Sequence, residues 1–276
     1  VLCLIGVQQA SVAHGQSRSD DASPIHFGVF PYVSPQVLIN RQAPLRDWLS
    51  EELQQAVSLV SATDYATFVL RTCNGDYDIV LTAPHLGRLA QRDCGQRVLA
   101  TTAHPLGAAF VSRRDSGLGD VQSLRGQTLH IPSPLSMIHQ VTLGMLRDAG
   151  IDPERDVTLR VVDSHNSALL AVLHDGGVGV VGVTTWDDPR LQHRDQYLEI
   201  ARTPQFPGFA LLGNPAKLDS SRLDALARTV LTMHTHPLGE RYFGVRSQNR
   251  FVVPEPGVLE GLDPYVNQVV RILEGS

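Results

Sequence analysis

Ser61-Ala-Thr-Asp-Tyr-Ala-Thr-Phe-Val-Leu-Arg-Thr-Cys-Asn-Gly-Asp-Tyr-Asp-Ile-Val-Leu-Thr-Ala-Pro-His85 holds one full structural repeat unit. Thr63 and Asp64 are candidate caps for a helix over Tyr65–Cys73, because a short side-chain oxygen can accept the first free N–H groups. Asn74-Gly75 stops that helix, and Tyr77-Asp-Ile-Val-Leu81 is apolar enough for a buried strand. Ala83-Pro84-His85 opens the next helix, with proline in a first turn where its missing N–H costs nothing. Just upstream, Val57-Ser-Leu-Val-Ser61 alternates like a strand. Strand, helix, strand, helix in this order predicts a mainly parallel sheet covered by helices on both faces.

The same grammar extends in both directions. Upstream lie the strand Ile25-His-Phe-Gly-Val-Phe30, the turn Pro31–Pro35 and a helix Gln36–Gln55. Leu45, Trp48, Leu49 and Leu53 recur on one face of that helix. Downstream the alternation restarts near Leu106: a strand Ala108–Ser112, a short helix Asp120–Leu124 and a strand Thr128–Ile131. A helix Ser133–Ala149, a strand Val157–Val162, a helix Ser164–His174 capped by Ser164 or His165, and a strand Val178–Val183 follow. Tyr197–Leu212 is extended and broken by Pro204 and Pro207, which reads as a return crossing; Asp219–His234 is then a helix. The expected organisation is a first lobe from 24–105 and 205–276 and a second lobe from 106–204, with the tail packing back on the first.

The chain has 276 residues, 42% of them hydrophobic and 18% charged, with a formal net charge of -5. That charge, without a basic run, excludes a nucleic-acid footprint. Residues 1–15 pass from the apolar Val1–Val7 to small and polar residues, which reads as the remnant of a secretory signal peptide, against a buried N-terminal strand. Export implies an oxidising compartment. If Cys3 leaves with the signal, Cys73 and Cys94 remain, both expected at one end of the sheet, as a disulfide or as two unrelated thiols. The catalytic motifs of metalloproteases, nucleophile elbows, P-loops and dinucleotide folds are absent from the sequence. His234-Thr-His236 is the tightest histidine pair, but two residues apart on a helix end it points two ways. The reading is a non-enzyme without cofactor or metal.

Phe27-Gly-Val-Phe-Pro31, Pro44-Leu-Arg-Asp-Trp-Leu49, Thr63-Asp-Tyr-Ala-Thr-Phe68 and Gly75-Asp-Tyr-Asp-Ile-Val80 form an ordered set. Arg114-Asp-Ser-Gly117, Ser123-Leu-Arg-Gly126 and Asp163-Ser-His-Asn-Ser-Ala168 continue it. Together they resemble the phosphate/phosphite/phosphonate-binding proteins of ABC importers over roughly Ile25 to Leu212. The resemblance implies a two-lobed α/β type II periplasmic binding fold that closes on a small ligand by hinge motion. It also implies a periplasmic location and a membrane permease as partner, or alternatively a sensor kinase, with the binding protein expected to act as a monomer.

Such ligands lie beyond the carboxyl ends of strands, where helix N-termini offer free N–H groups to an anion. The turns meeting that description are Pro31–Ser34, Thr63–Tyr65, Thr82–His85, Ser133–Met137 and Ser164–Asn166. The resemblance makes Tyr65 and His165 ligand contacts and puts Thr82 where phosphonate binders often carry tyrosine. His85 either faces the ligand or caps its helix, and Tyr32 and Ser34 are further candidates on the first turn. The family's hydroxyl-rich cradle falls on Ser133-Pro-Leu-Ser-Met137, where Ser136 alone keeps its place. Pro134 removes a donor, and Leu135 and Met137 add apolar bulk. A family acidic residue falls on Gly179. These departures predict a less polar pocket and a small, anionic, phosphonate-like or other organic ligand.

Overall fold

The computed structural model of the chain describes residues 23–244 and 248–275. The signal-peptide reading of residues 1–15, with Cys3, lies outside the described residues. The first sheet gathers β1 (Ile25–Val29), α1 (Pro35–Leu53), β2 (Val57–Val60), α2 (Tyr65–Cys73), β3 (Ile79–Thr82), α3 (Pro84–Asp93) and β4 (Arg97–Thr102). The chain then crosses to β5 (Ala108–Arg113), β6 (Thr128–Ile131), α4 (Met137–Asp148), β7 (Thr158–Val161), α5 (His165–Asp175), β8 (Val178–Gly182), α6 (Val183–Trp186) and β9 (Tyr197–Arg202). It returns through β10 (Ala210–Gly213), α7 (Ser220–Thr229), α8 (Pro237–Phe243), β11 (Phe251–Val252) and α9 (Asp263–Glu274).

The strand orders are β11-β4-β10-β3-β1-β2 and β7-β6-β8-β5-β9. In each sheet the first strand after a crossing, β10 or β5, inserts antiparallel between strands that run the other way. The two-lobed α/β expectation therefore holds, with mixed sheets. Alternation sorts the second sheet's core. Ala108 and Phe110 of β5, with Val178 and Val180 of β8, pack on one face beside Leu129 and Leu146. Ala109 and Val111, with Val181, pack on the other beside Leu169 and Val172 of α5. The first sheet packs around Phe27, Trp48, Phe68 and Leu81, and Val266 and Val269 of α9 join that core.

Two crossings join the sheets and pair with each other. Leu106 and Phe206 exchange both backbone hydrogen bonds at 2.8 Å. Thr203 N–H donates to the Ala108 carbonyl at 2.9 Å, and its Oγ1 accepts from Ala108 N–H at 2.9 Å. Gly208 belongs to the returning crossing, and a Cβ there would collide with the Thr102 carbonyl oxygen. Cys73 and Cys94 are joined as a disulfide with a Cα–Cα distance of 4.8 Å. It ties the carboxyl ends of α2 and α3, away from the strand ends that face the cleft.

Two helix expectations are corrected, and a strand is added. Helix α4 starts at Met137, not Ser133, because Ser133–Pro134 turns before Ser136 caps the helix. β4 was not anticipated; its burial comes from sitting between β10 and β11. The helix expected to run to His234 leaves the α form at Thr229 and continues as a 3₁₀ turn. Among the described residues no helix is long and apolar enough to cross a membrane.

Candidate functional site

Four helices begin at the cleft, and each is started by its local sequence. Asp64 caps α2 by accepting the Thr67 N–H at 2.8 Å. Backbone and hydroxyl donors from Thr67 and Thr63 hold its carboxyl below the usual range, the Thr67 N–H foremost. Pro84 opens α3 after Ala83. Ser136 caps α4 by accepting the His139 N–H at 3.1 Å. Ser164 caps α5 by accepting the Ser167 N–H at 3.1 Å.

These starts converge on a cavity of about 40 Å³. Tyr65, Ala83, Ser136, Met137 and His165 line it from the helix starts. Phe30 and Tyr32 line it from the turn after β1, and Leu106, Gly107, Phe206 and Phe209 from the crossings. Ile138, Gly182, Val183 and Thr184 complete the second-sheet wall. Among the described residues, no Asp, Glu, Lys or Arg lines it. Phe30 stacks on Tyr32 at 4.6 Å between ring centroids and meets Tyr65 edge-on at 6.0 Å. The cavity is thus aromatic on one side, aliphatic on the other, and served by neutral donors.

Of the residues expected to contact ligand, the structure brings Tyr32, Tyr65, Ser136 and His165 together on this cavity. Burial pushes the Tyr65 hydroxyl up, so it stays protonated as a donor. His165 is held neutral, its pKa pulled down to about 4 by burial and then by the charge of Arg41. Its buried Nδ1 has no hydrogen-bond partner among the described residues.

Ser34, Thr82 and His85 do not line the cavity. Ser34 precedes α1 without a side-chain capping bond. Thr82 is buried at the end of β3, with its methyl near Gly87 of α3. His85 is wholly buried, and its Nε2 lies 2.9 Å from the Leu135 carbonyl, which fixes Nε2–H as the donor. Burial brings its pKa down to about 4. His85 therefore bridges the two lobes. Leu135, from the second lobe, is buried within the first sheet's apolar core. Met137 packs with Leu106, Phe206, Leu259 and Leu262. Two residues of the altered cradle have become contacts across the cleft. Gly179 lies away from the cleft, under Ala168 and Val172 of α5; on the same strand it is Gly182 that lines the cavity.

The sequence reading missed Phe209, Phe206 and Gly182, since their place depends on how the crossings stack. The Pro204 to Pro207 interruption was the signal available for the first two. Of the histidine pair His234 and His236, His236 Nδ1 accepts from the Leu238 N–H at 3.2 Å to cap α8. Among the described residues no cluster of three or more His, Cys, Asp or Glu is placed to hold a metal.

Against known proteins, no curated protein sequence matches the chain at a significant level. Solved structures match its fold. PhnD1 from Prochlorococcus marinus, in complex with methylphosphonate, superposes with a TM-score of 0.79 at 15% identity, covering 90% of this chain and 98% of that one. A binding-protein component of an ABC phosphonate transporter from Pseudomonas aeruginosa gives a TM-score of 0.77 at 17% identity over 91% and 89%. The aliphatic sulphonate binding protein SsuA from Escherichia coli gives 0.62 at 14% over 91% and 93%. The family model described as "ABC transporter, phosphonate, periplasmic substrate-binding protein" matches residues 27–256. The match is to the transport component, and the sensor-partner reading gains no support from it. The chain belongs to the periplasmic substrate-binding proteins of ABC phosphonate transporters.

Proposed function

We propose that this protein captures a small organic oxyanion, a sulfonate or a singly charged phosphonate with an apolar substituent, and presents it to an ABC permease. The observation carrying the reading is the convergence of the α2, α3, α4 and α5 starts on one apolar cavity. Helix N-termini favour negative charge, while the lack of a cationic side chain on the wall favours a single charge over two. Tyr65 and His165 donate to the anion, with Ser136 and Tyr32 beside them, and the aromatic rings of Phe30 and Phe209 receive the substituent. The cavity is small, about 40 Å³. It therefore takes only the head of a ligand, and the lobes part about the two crossings to admit it.

The proposed lobes are 24–105 with 205–276, and 106–204. Both walls of the cleft come from one chain, so one copy suffices. Capture occurs after export, in an oxidising space where the Cys73–Cys94 bridge persists. No step of the reading changes the ligand covalently. Thermal unfolding is measured with methylphosphonate, methanesulfonate, butylphosphonate, butanesulfonate and inorganic phosphate. The expected result is an upward shift with the organic anions exceeding that with phosphate, and ligand recovered unchanged. No shift with any of them, or consumption of the ligand, overturns the reading.

A further inference from the structure

A second, much larger space opens beside the cavity. It measures about 700 Å³ and lies between α1 and α8 on one side and α5, α6 and the segment 188–193 on the other. Tyr32, Thr184 and Phe209 line both spaces, so the groove begins where the small cavity ends. The groove differs in charge. Arg41, Arg190 and Arg241 line it against a single carboxylate, Asp188, among the described residues.

That carboxylate is already shared. Arg190 Nε and Nη2 donate to its two oxygens at 3.0 and 2.9 Å, and Arg41 Nη2 reaches it from the other lobe at 3.3 Å. Arg241 forms no ion pair among the described residues. The wall therefore carries three guanidinium groups for one carboxylate, on a protein whose formal net charge is -5. Thr185 also lines the groove, with a buried hydroxyl that has no partner among the described residues.

We propose that the groove is a second compartment of the ligand site, selecting anions that carry a second acidic group at the end of the substituent. The proposal rests on the cavity holding the oxyanion head. The apolar cavity fixes one end, and the tail passes Tyr32 and Phe209 to reach the arginines. Guanidinium groups suit a terminal carboxylate or phosphate because their planar fork offers two parallel N–H donors. Closing the lobes brings Arg41 and Arg241 of the first lobe and Arg190 of the second onto the same groove, so the second charge is read only in the closed form.

Affinity is measured by calorimetry for phosphonoalkanoates from 3-phosphonopropanoate to 6-phosphonohexanoate, each paired with the alkylphosphonate in which a methyl group replaces the carboxylate. At the length that spans the two compartments, the acid is expected to bind about tenfold more tightly than its partner, the scale of one charge-assisted contact. In Arg241→Gln and Arg190→Gln the ratio of the two affinities falls toward one. A ratio near one at every length in the natural protein overturns the proposal while leaving the cavity reading intact, provided the alkylphosphonates bind. So does a ratio unchanged in both variants. If neither series binds, the head-group site fails and takes the second compartment with it.

Discussion

At the start of α2, Asp64 accepts a backbone N–H at 2.8 Å and its neighbour Tyr65 lines the cavity; at the start of α4, Ser136 accepts one at 3.1 Å, flanked by Leu135 and Met137. The two turns solve the same local problem, satisfying the free N–H groups of a helix end. What they offer to the cleft differs. The first lobe keeps an aromatic hydroxyl donor. The second lobe spends two positions on apolar side chains that reach into the other lobe's packing. Helix capping constrains one residue of such a turn, so its neighbours are free to bind an anion or to bind the facing lobe.

Acid is expected to have the largest effect, because it acts on both lobes at once. His85 of the first lobe and His165 of the second are each held neutral, their pKa values brought down to about 4 mainly by burial. In the unfolded chain both titrate near ~6.5. Below that pH the unfolded state binds more protons, so stability falls as pH drops from about 6.5 to about 4. The loss is on the order of 3 kcal/mol for each histidine. His139, also lowered by burial, adds to the slope. The capping carboxylate of Asp64 titrates below its ordinary value and so acts only at lower pH. Urea denaturation at pH 7, 6, 5 and 4.5 measures this. His85→Gln should flatten the dependence by about one proton. Stability that stays level from pH 6.5 to 4.5 would contradict the neutral, buried state of both rings.

The contrast between the two turns is broken most directly at Leu135. It is 5% exposed and belongs to the first sheet's core although its backbone is on the second lobe. Leu135→Ala should destabilise the protein by about 2–5 kcal/mol, as for other buried leucines. Small-angle scattering should also show a more open particle, since the lost contacts span the cleft. Tyr65→Phe on the other turn removes only a hydroxyl and should leave the scattering curve unchanged. A Leu135→Ala protein as closed and stable as the parent would mean that Leu135 does not hold the lobes together.

What was legible in the sequence follows the same division. Strand–helix alternation and the cap positions, narrowed to Thr63 or Asp64 and to Ser164 or His165, depend on residues close in the chain, and the sequence displays them; the structure selects Asp64 and Ser164. The partner of His85 is Leu135, fifty residues away and on the other lobe. No local pattern distinguishes a histidine facing a ligand from one facing a carbonyl across a cleft. The same holds for Arg41, Arg190 and Arg241, which meet on one groove from three separate segments. Pro134, Leu135 and Met137 were readable as losses to an anion cradle. Their gain, contact across the cleft, needed the second lobe in place.

Gly182 sharpens the comparison with the smallest change in the protein. In the strand orders, β8 occupies the place in the second sheet that β3 occupies in the first. Both strands end at the cavity, the first through Ala83 and the second through Gly182 and Val183. The second lobe, which fills space with Leu135 and Met137, leaves space at Gly182. A Cβ there would lie 3.2 Å from Ile138 Cδ1 and 3.3 Å from His165 Nε2. Its φ lies outside the region that favours glycine, so the backbone accepts alanine. Gly182→Ala should therefore change stability by no more than about 1 kcal/mol, since two side chains need to give by only a few tenths of an ångström. Alkylphosphonate affinity should fall about tenfold, because the added methyl stands against His165 in a cavity of about 40 Å³. Calorimetry on the variant reads both lobes' contributions at once. Full affinity in a folded Gly182→Ala protein would place the oxyanion head away from His165.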